Sequence, residues 1–179
     1  MQNNTKYLIL TALLAALTAV GAFLRIPLGA MSLTLQFLFT ALAGILLGPK
    51  WGAVSQAVYV ALGLVGLPVF TMGGGPSYIF QPSFGFLLGL IPAAAVIGAL
   101  VGEEVRPVRT ALACLAGLAV LYAVGLPYMA LILNVYLGKA LSAGAILMTG
   151  MVVYLPGDAL KIAAAVVVAR PLRRAVGRS

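Results

Sequence analysis

Long apolar runs, separated by only a few charges, constrain this chain more than any other feature. Of its 179 residues, 63% are hydrophobic and 8% charged, against roughly 25% charged in a soluble domain. No polar face is left to cover a core in water. Six apolar segments stand out, at about residues 6–24, 35–49, 51–70, 83–101, 109–131 and 145–169. A helix needs about 20 apolar residues to cross a bilayer. The expected fold is therefore an all-α membrane protein, a bundle of six transmembrane helices forming one integral membrane domain over residues 1–179. The second segment is short and is expected to be steeply placed or aided by its flanks. The first does not read as a signal peptide, because it lacks a short apolar stretch with a small-residue cleavage site and runs almost directly into the next span.

The net charge of +8 is explained by where the basic residues fall. With both termini cytoplasmic, the inner set is Lys6, Lys50, Arg106, Arg109, Arg170, Arg173, Arg174 and Arg178, and the outer set is Arg25 and Lys139. That asymmetry satisfies the positive-inside rule. The tail RPLRRAVGRS becomes an anchor beside anionic headgroups of membrane lipid. No nucleic-acid partner is expected, since neither aromatic residues nor a binding motif accompany the tail. The same topology puts two sizeable loops outside, residues 25–36 and 70–86, so a ligand pocket is expected on the extracellular side.

Within the last run, YLPGDALK carries an Asp and a Lys where no charge is expected. Pro156 and Gly157 break or start a helix. Asp158 then falls in the first turn, where it meets the positive helix end. Lys161 follows three residues later on the same face. A capping Asp paired to a snorkelling Lys would account for the pattern structurally. Ionisable groups at membrane depth are costly, however, and usually serve a task. Such a pair suits a ligand with an anionic end and hydrogen-bond donors, the Lys holding the anion and the Asp accepting N–H groups.

The loop MGGGPSYIFQPSFGF is not a Walker loop, because no Lys-Ser/Thr follows its glycines. Tyr78, Phe80, Phe84 and Phe86 offer flat apolar surface, Gln81 and Ser83 offer directional polar contacts, and Gly74 and Gly75 belong to the same candidate site. This is the make-up of a small-molecule pocket. Gln36, Gln56, Asn134 and Tyr154 are further candidate binding groups, although Tyr154, Gln56, Tyr59 and Asn134, each taken alone, read first as bridges between helices, Gln56 and Tyr59 lying on one face of the third segment. In the first segment, Ala12 and Ala16 stand i, i+4, as do Ala15 and Ala19, a spacing that lets two helices approach closely.

No histidine is present, and the three carboxylates Glu103, Glu104 and Asp158 are scattered. The usual general base, the Ser-His pair and an acid dyad are thereby excluded. With Cys114 the single cysteine, no metal cluster or intrachain disulfide is expected. The chain is not expected to be an enzyme or to hold a cofactor.

The blocks RIPLGAMSLTLQ, LLGPKWGAVSQAVYVALGLVGLPVF, GGGPSYIFQPSFGFLLG and LPGDALK, in this order, resemble the biotin-specific substrate-binding component of energy-coupling factor (ECF) transporters, the BioY family. The resemblance implies capture of extracellular biotin at the bacterial cytoplasmic membrane, and work with a transmembrane coupling subunit and two cytoplasmic ATPases. It implies that Asp158 and Lys161 line the biotin site, that Ala12 and Ala16 meet the coupling subunit, and that residues 25–36 act as a lid. Some relatives carry an Asn in the Gly-rich loop and an Arg just inside the next helix. Gly73 and Leu87 stand there in this chain, which makes Tyr78 and Gln81 the candidate replacement contacts. Either Lys161 takes the carboxylate and Asp158 a ureido N–H, or Lys161 neutralises Asp158 and other groups take the tail. Two rival readings are a lipoate-binding component and a self-sufficient transporter with Asp158 as its proton-linked carboxylate.

Overall fold

The computed structural model describes residues 2–28 and 31–177. Arg178, assigned above to the inner set, lies outside them. The apolar runs form helices: α1 (Gln2–Phe23), α2 (Gln36–Leu64), α3 (Phe84–Val101), α4 (Pro107–Leu131), α5 (Ala143–Leu147) and α6 (Leu155–Ala175). π-helical turns at Ile132–Tyr136 and Met148–Val152 prolong α4 and carry α5 towards α6. Among the described residues, five stretches are long and apolar enough to cross a membrane, namely Asn4–Phe23, Gln36–Leu64, Phe84–Val101, Pro107–Tyr136 and Ala143–Ala175. Pro107 and Pro156 sit in the opening turns of α4 and α6, where a proline removes no N–H that the helix would use.

The longest of these elements, α2, is not a straight rod. Gly48 has φ 80° and ψ −175°, and Pro49 follows it. Only glycine enters that backbone region readily, and proline cannot continue the hydrogen-bond ladder. Residues 36 and 59 would be about 34 Å apart in an unbroken helix. Instead the Gln36 amide donates to the Tyr59 hydroxyl over 2.8 Å, and the Thr40 hydroxyl donates to Gln56 over 2.9 Å. A Cβ built on Gly52 would lie 2.9 Å from Gly44 Cα. The halves 36–47 and 49–64 therefore run antiparallel, folded at the point where the apolar pattern changes from its second segment to its third.

Small residues let the helices close on this hairpin. A Cβ on Gly98 of α3 would meet the Gly48 carbonyl carbon at 2.5 Å, and one on Gly117 of α4 would meet Ile97 at 2.4 Å. The core that results runs from Phe37, Ile45 and Tyr59 of α2 through Leu90 and Ile97 of α3 to Leu118 of α4 and Ala165 of α6.

Two expectations are corrected. The chain is not wholly α-helical, because Arg25–Leu28 (β1) and Met31–Thr34 (β2) pair antiparallel, with Arg25 opposite Thr34 and Ile26 opposite Leu33. The pairing satisfies backbone groups that an irregular connection would leave bare above the helix ends. The third apolar segment also stops being helical at Leu64 rather than near residue 70. Gly66, at φ 115°, and Pro68 turn the chain into the loop.

The molecule has two chemically distinct ends. At one end the Tyr7 and Trp51 rings stack 5.9 Å apart, Lys6 donates to the Val176 carbonyl, and Arg173 donates to the Gly102 carbonyl over 2.6 Å. These contacts gather Lys6, Lys50, Arg106, Arg109, Arg170, Arg173 and Arg174. The β1–β2 hairpin, the residue 65–83 loop and the start of α6 form the other end.

The close approach at Gly98 makes a direct prediction. Gly98→Val is expected to lose about 2 kcal/mol or more through overpacking, read as a lowered melting temperature in detergent. Gly144→Ala, whose new methyl would meet only the Ser142 hydroxyl at 4.0 Å, leaves melting unchanged or slightly raised. Equal melting of the two variants would contradict this packing.

Candidate functional site

A cavity lies under the β1–β2 hairpin, at the end remote from Arg170, Arg173 and Arg174 of α6. Ser32, Leu33 and Thr34 of β2 form its roof and Gln36 and Phe37 of α2 one side. Thr71, Tyr78 and Ser83 of the loop, Phe86, Leu87 and Leu90 of α3, and Leu121 and Tyr122 of α4 continue the wall, and Tyr154, Asp158 and Lys161 complete it. Leu33 sits on the start of α6 so closely that a Cβ on Gly157 would meet its Cδ1 at 2.7 Å.

The ion pair is the chemical centre of this wall. Lys161 Nζ donates to Asp158 Oδ1 over 2.7 Å, and the Tyr122 hydroxyl donates to Oδ2 over 2.5 Å. Asp158 is 4% exposed and Lys161 8%, so neither charge is left to water. The pair is tolerated because each charge is partnered, where an isolated buried ion would cost several kcal/mol. The first turn of α6 also presents its positive end to Asp158. An ammonium has three N–H donors and a carboxylate about four acceptor sites. The pair therefore retains capacity for a ligand that supplies both acceptors and donors. Around it, Leu33, Phe37, Phe86 and Leu90 give apolar surface for a hydrocarbon portion.

The polar groups on the other walls are held in place. Gln36 accepts from the Thr34 hydroxyl over 2.9 Å while its amide is committed to Tyr59, and Tyr59 donates to the Val69 carbonyl over 3.1 Å. The Tyr78 hydroxyl lies 2.9 Å from the Thr71 hydroxyl and 3.5 Å from that of Ser83.

Six residues expected from sequence meet on the cavity wall: Asp158, Lys161, Tyr78, Phe86, Tyr154 and Gln36. The others stand behind it or away from it. Phe84 packs its ring on Tyr78 and Tyr128, with centroids 6.5 and 5.8 Å away. Gln81 is half-buried, and its backbone N–H turns back to the Tyr78 carbonyl. Gly75 donates its N–H to the Gly63 carbonyl over 2.7 Å, and a Cβ on Gly74 would meet the Leu67 carbonyl oxygen at 2.0 Å. These two glycines seal the loop onto the end of α2. Gln56 is fully buried and bridges Thr40 and Thr18. Asn134 clamps both backbone groups of Leu141. On α1, Ala12 and Ala16 are exposed whereas Ala15 is buried.

Tyr122 and Thr71 are not singled out by sequence, and Ser32, Leu33 and Thr34 enter there only as part of the 25–36 segment. Tyr122 lies in an apolar run with no local signal, and its part depends on the meeting of α4 and α6. Among the described residues no cluster of His, Cys, Asp or Glu is fit to hold a metal ion.

The pairing predicts an asymmetric double-mutant result. Lys161→Met leaves Asp158 buried without its counter-ion and is expected to cost about 3 kcal/mol. Asp158→Asn added to it removes the stranded charge and recovers most of that loss. Ligand-free melting in detergent measures both, and a double variant as unstable as the single would contradict the pairing.

A family model described as the BioY family matches residues 1–178. A protein of Lysinibacillus sphaericus named a probable biotin transporter BioY is 45% identical over 172 residues, covering 94% of this chain and 88% of its own length. The biotin transporter BioY of Thermotoga maritima is 35% identical, with 94% of this chain and 96% of that protein covered. A crystal structure of the S-component for biotin from an ECF-type ABC transporter superposes with a TM-score of 0.84 at 27% identity, covering 97% of this chain and 93% of that one.

Proposed function

The chain belongs to the BioY family, and from that premise we propose that it is the biotin-capturing S component of an ECF importer. Its relatives are transporters rather than enzymes. The observation that carries the reading is the Asp158–Lys161 pair in the wall of a cavity roofed by a hairpin. Biotin joins a carboxylate on an aliphatic tail to a ureido ring with two N–H donors. In this reading one end of the ligand engages the ion pair, and the tail and sulfur ring lie against Leu33, Phe37 and Phe86. Leu87 keeps that wall apolar where some relatives carry an Arg, so Tyr78, Thr71 and Ser83 become the hydroxyl contacts for the remaining polar end.

The proposed topology has six crossings, with the two halves of α2 counted separately and both termini cytoplasmic. It rests on charge: Lys6, Lys50, Arg106, Arg109, Arg170, Arg173 and Arg174 crowd one end, against Arg25 and Lys139 at the other. The stacked pairs Tyr7–Trp51 and Phe80–Tyr136, near opposite ends, suit the two aromatic belts of a membrane protein. The cavity then opens outward, and the protein resides in the cytoplasmic membrane of a bacterium. A transmembrane coupling subunit meets the exposed Ala12–Ala16 face of α1, and two cytoplasmic ATPases supply the energy for uptake.

Equilibrium binding of labelled biotin to the detergent-purified chain tests the ligand assignment. Asp158→Asn and Lys161→Ala are each expected to weaken binding about tenfold or more, since charge-assisted hydrogen bonds are the strong ones. Lipoate, which lacks the ureido donors, competes weakly. Unchanged biotin binding in the double variant, or lipoate binding as tightly as biotin, would overturn the assignment. Sustained biotin accumulation by the chain alone in liposomes under a pH gradient would favour the self-sufficient transporter instead.

A further inference from the structure

A second cleft lies at the basic end, between the α3–α4 turn and the last turns of α6. Glu103, Glu104, Val105 and Arg106 line one side, and Arg170, Arg173 and Arg174 the other. We propose that this cleft binds the phosphate of an anionic membrane lipid. The inference rests on a bilayer surface at this end and is independent of biotin.

The cleft is built rather than a chance gathering of side chains. Arg173 is 4% exposed and donates through Nη2 to the Gly102 carbonyl over 2.6 Å, which ties α6 to the α3–α4 turn. Arg109 donates through Nε to the Leu100 carbonyl over 2.6 Å. Gly102 takes φ 65°, and a Cβ there would meet Arg109 Nη2 at 2.8 Å. Two guanidinium contacts thus hold the turn that carries Glu103, Glu104 and Arg106.

Charge and shape then favour one class of occupant. Four arginines and two glutamates line the cleft, and Glu104 is engaged by Arg106 over 2.7 Å with both side chains largely in solvent. Exposed pairs of this kind contribute little, so Arg106 is released to a stronger acceptor at small cost. Arginine grips phosphate oxygens bidentately, and basic pockets between membrane helices at the cytoplasmic face hold anionic headgroups. Beyond the rim, Val108, Leu112 and Leu115 of α4 and Val167 of α6 expose apolar side chains along the helices. These provide a surface for acyl chains, which a free phosphate or an acidic peptide lacks.

Native mass spectrometry of the full-length chain, titrated with phosphatidylglycerol and with phosphatidylcholine, tests the site. The parent retains phosphatidylglycerol preferentially. Arg170→Gln/Arg174→Gln lowers that preference about tenfold or more, and Arg106→Gln, which leaves the α6 side of the cleft untouched, lowers it as well. Lys6→Gln/Lys50→Gln removes the same charge at the same end outside the cleft and keeps the preference. Equal retention of the two lipids by the parent, an equal loss in the lysine control, or displacement of the lipid by an equimolar amount of inorganic phosphate or of an acidic peptide would each overturn the proposal. Because the readout is lipid retention, the result stands whether or not biotin binds.

Discussion

Two opposite charges stand in the wall of a cavity inside an otherwise apolar bundle, and much of the architecture around them keeps them tolerable there. The ammonium of Lys161 and the carboxylate of Asp158 are 2.7 Å apart, and the Tyr122 hydroxyl takes the second carboxylate oxygen. Either charge alone would strongly favour water over this position. Together they form a neutral unit that keeps directional hydrogen-bonding capacity. Pro156 starts α6 where its positive end supports the carboxylate, α4 brings Tyr122 across, and Leu33 of the hairpin covers Gly157 beside them.

The rest of the fold holds the opposite walls in place. The reversal at Gly48–Pro49 lets Gln36 and Thr40 face Tyr59 and Gln56, so the buried amides are satisfied within one helical hairpin and its neighbour α1. Gln36 therefore reaches the cavity already fixed by Thr34 and Tyr59. The glycines of the loop serve the same end at one remove. Gly74 and Gly75 press the loop onto the end of α2, which positions Tyr78. The structure thus separates groups that touch the cavity from groups that hold them.

Sequence revealed the features governed by local chemistry. Apolar runs located the helices, because length and hydrophobicity suffice for that. The Asp–Lys spacing located the pair, since charges within such a run are conspicuous. Tyr122 was not legible, because a tyrosine in an apolar helix looks the same whether it packs or donates to a carboxylate on another helix. The β1–β2 hairpin was missed for a related reason: RIPL and MSLT are too short to display a period of two clearly. Gln56 and Asn134 are conspicuous as polar groups near apolar runs, and in the structure Gln56 bridges Thr40 and Thr18 while Asn134 holds Leu141. A polar residue in a membrane helix signals that a partner exists without naming it. The geometry of the pair alone leaves the ligand open among small acids bearing hydrogen-bond donors, and biotin is proposed because relatives are named as biotin transporters.

The most direct measurement is an experimental structure of the chain with biotin bound. The account predicts the ligand beneath the β1–β2 hairpin, with at least one of its polar ends in hydrogen-bond contact with Asp158 or Lys161 and its tail against Phe37 or Phe86. Biotin bound elsewhere, with the two charged groups still closed on each other and on Tyr122, would contradict it.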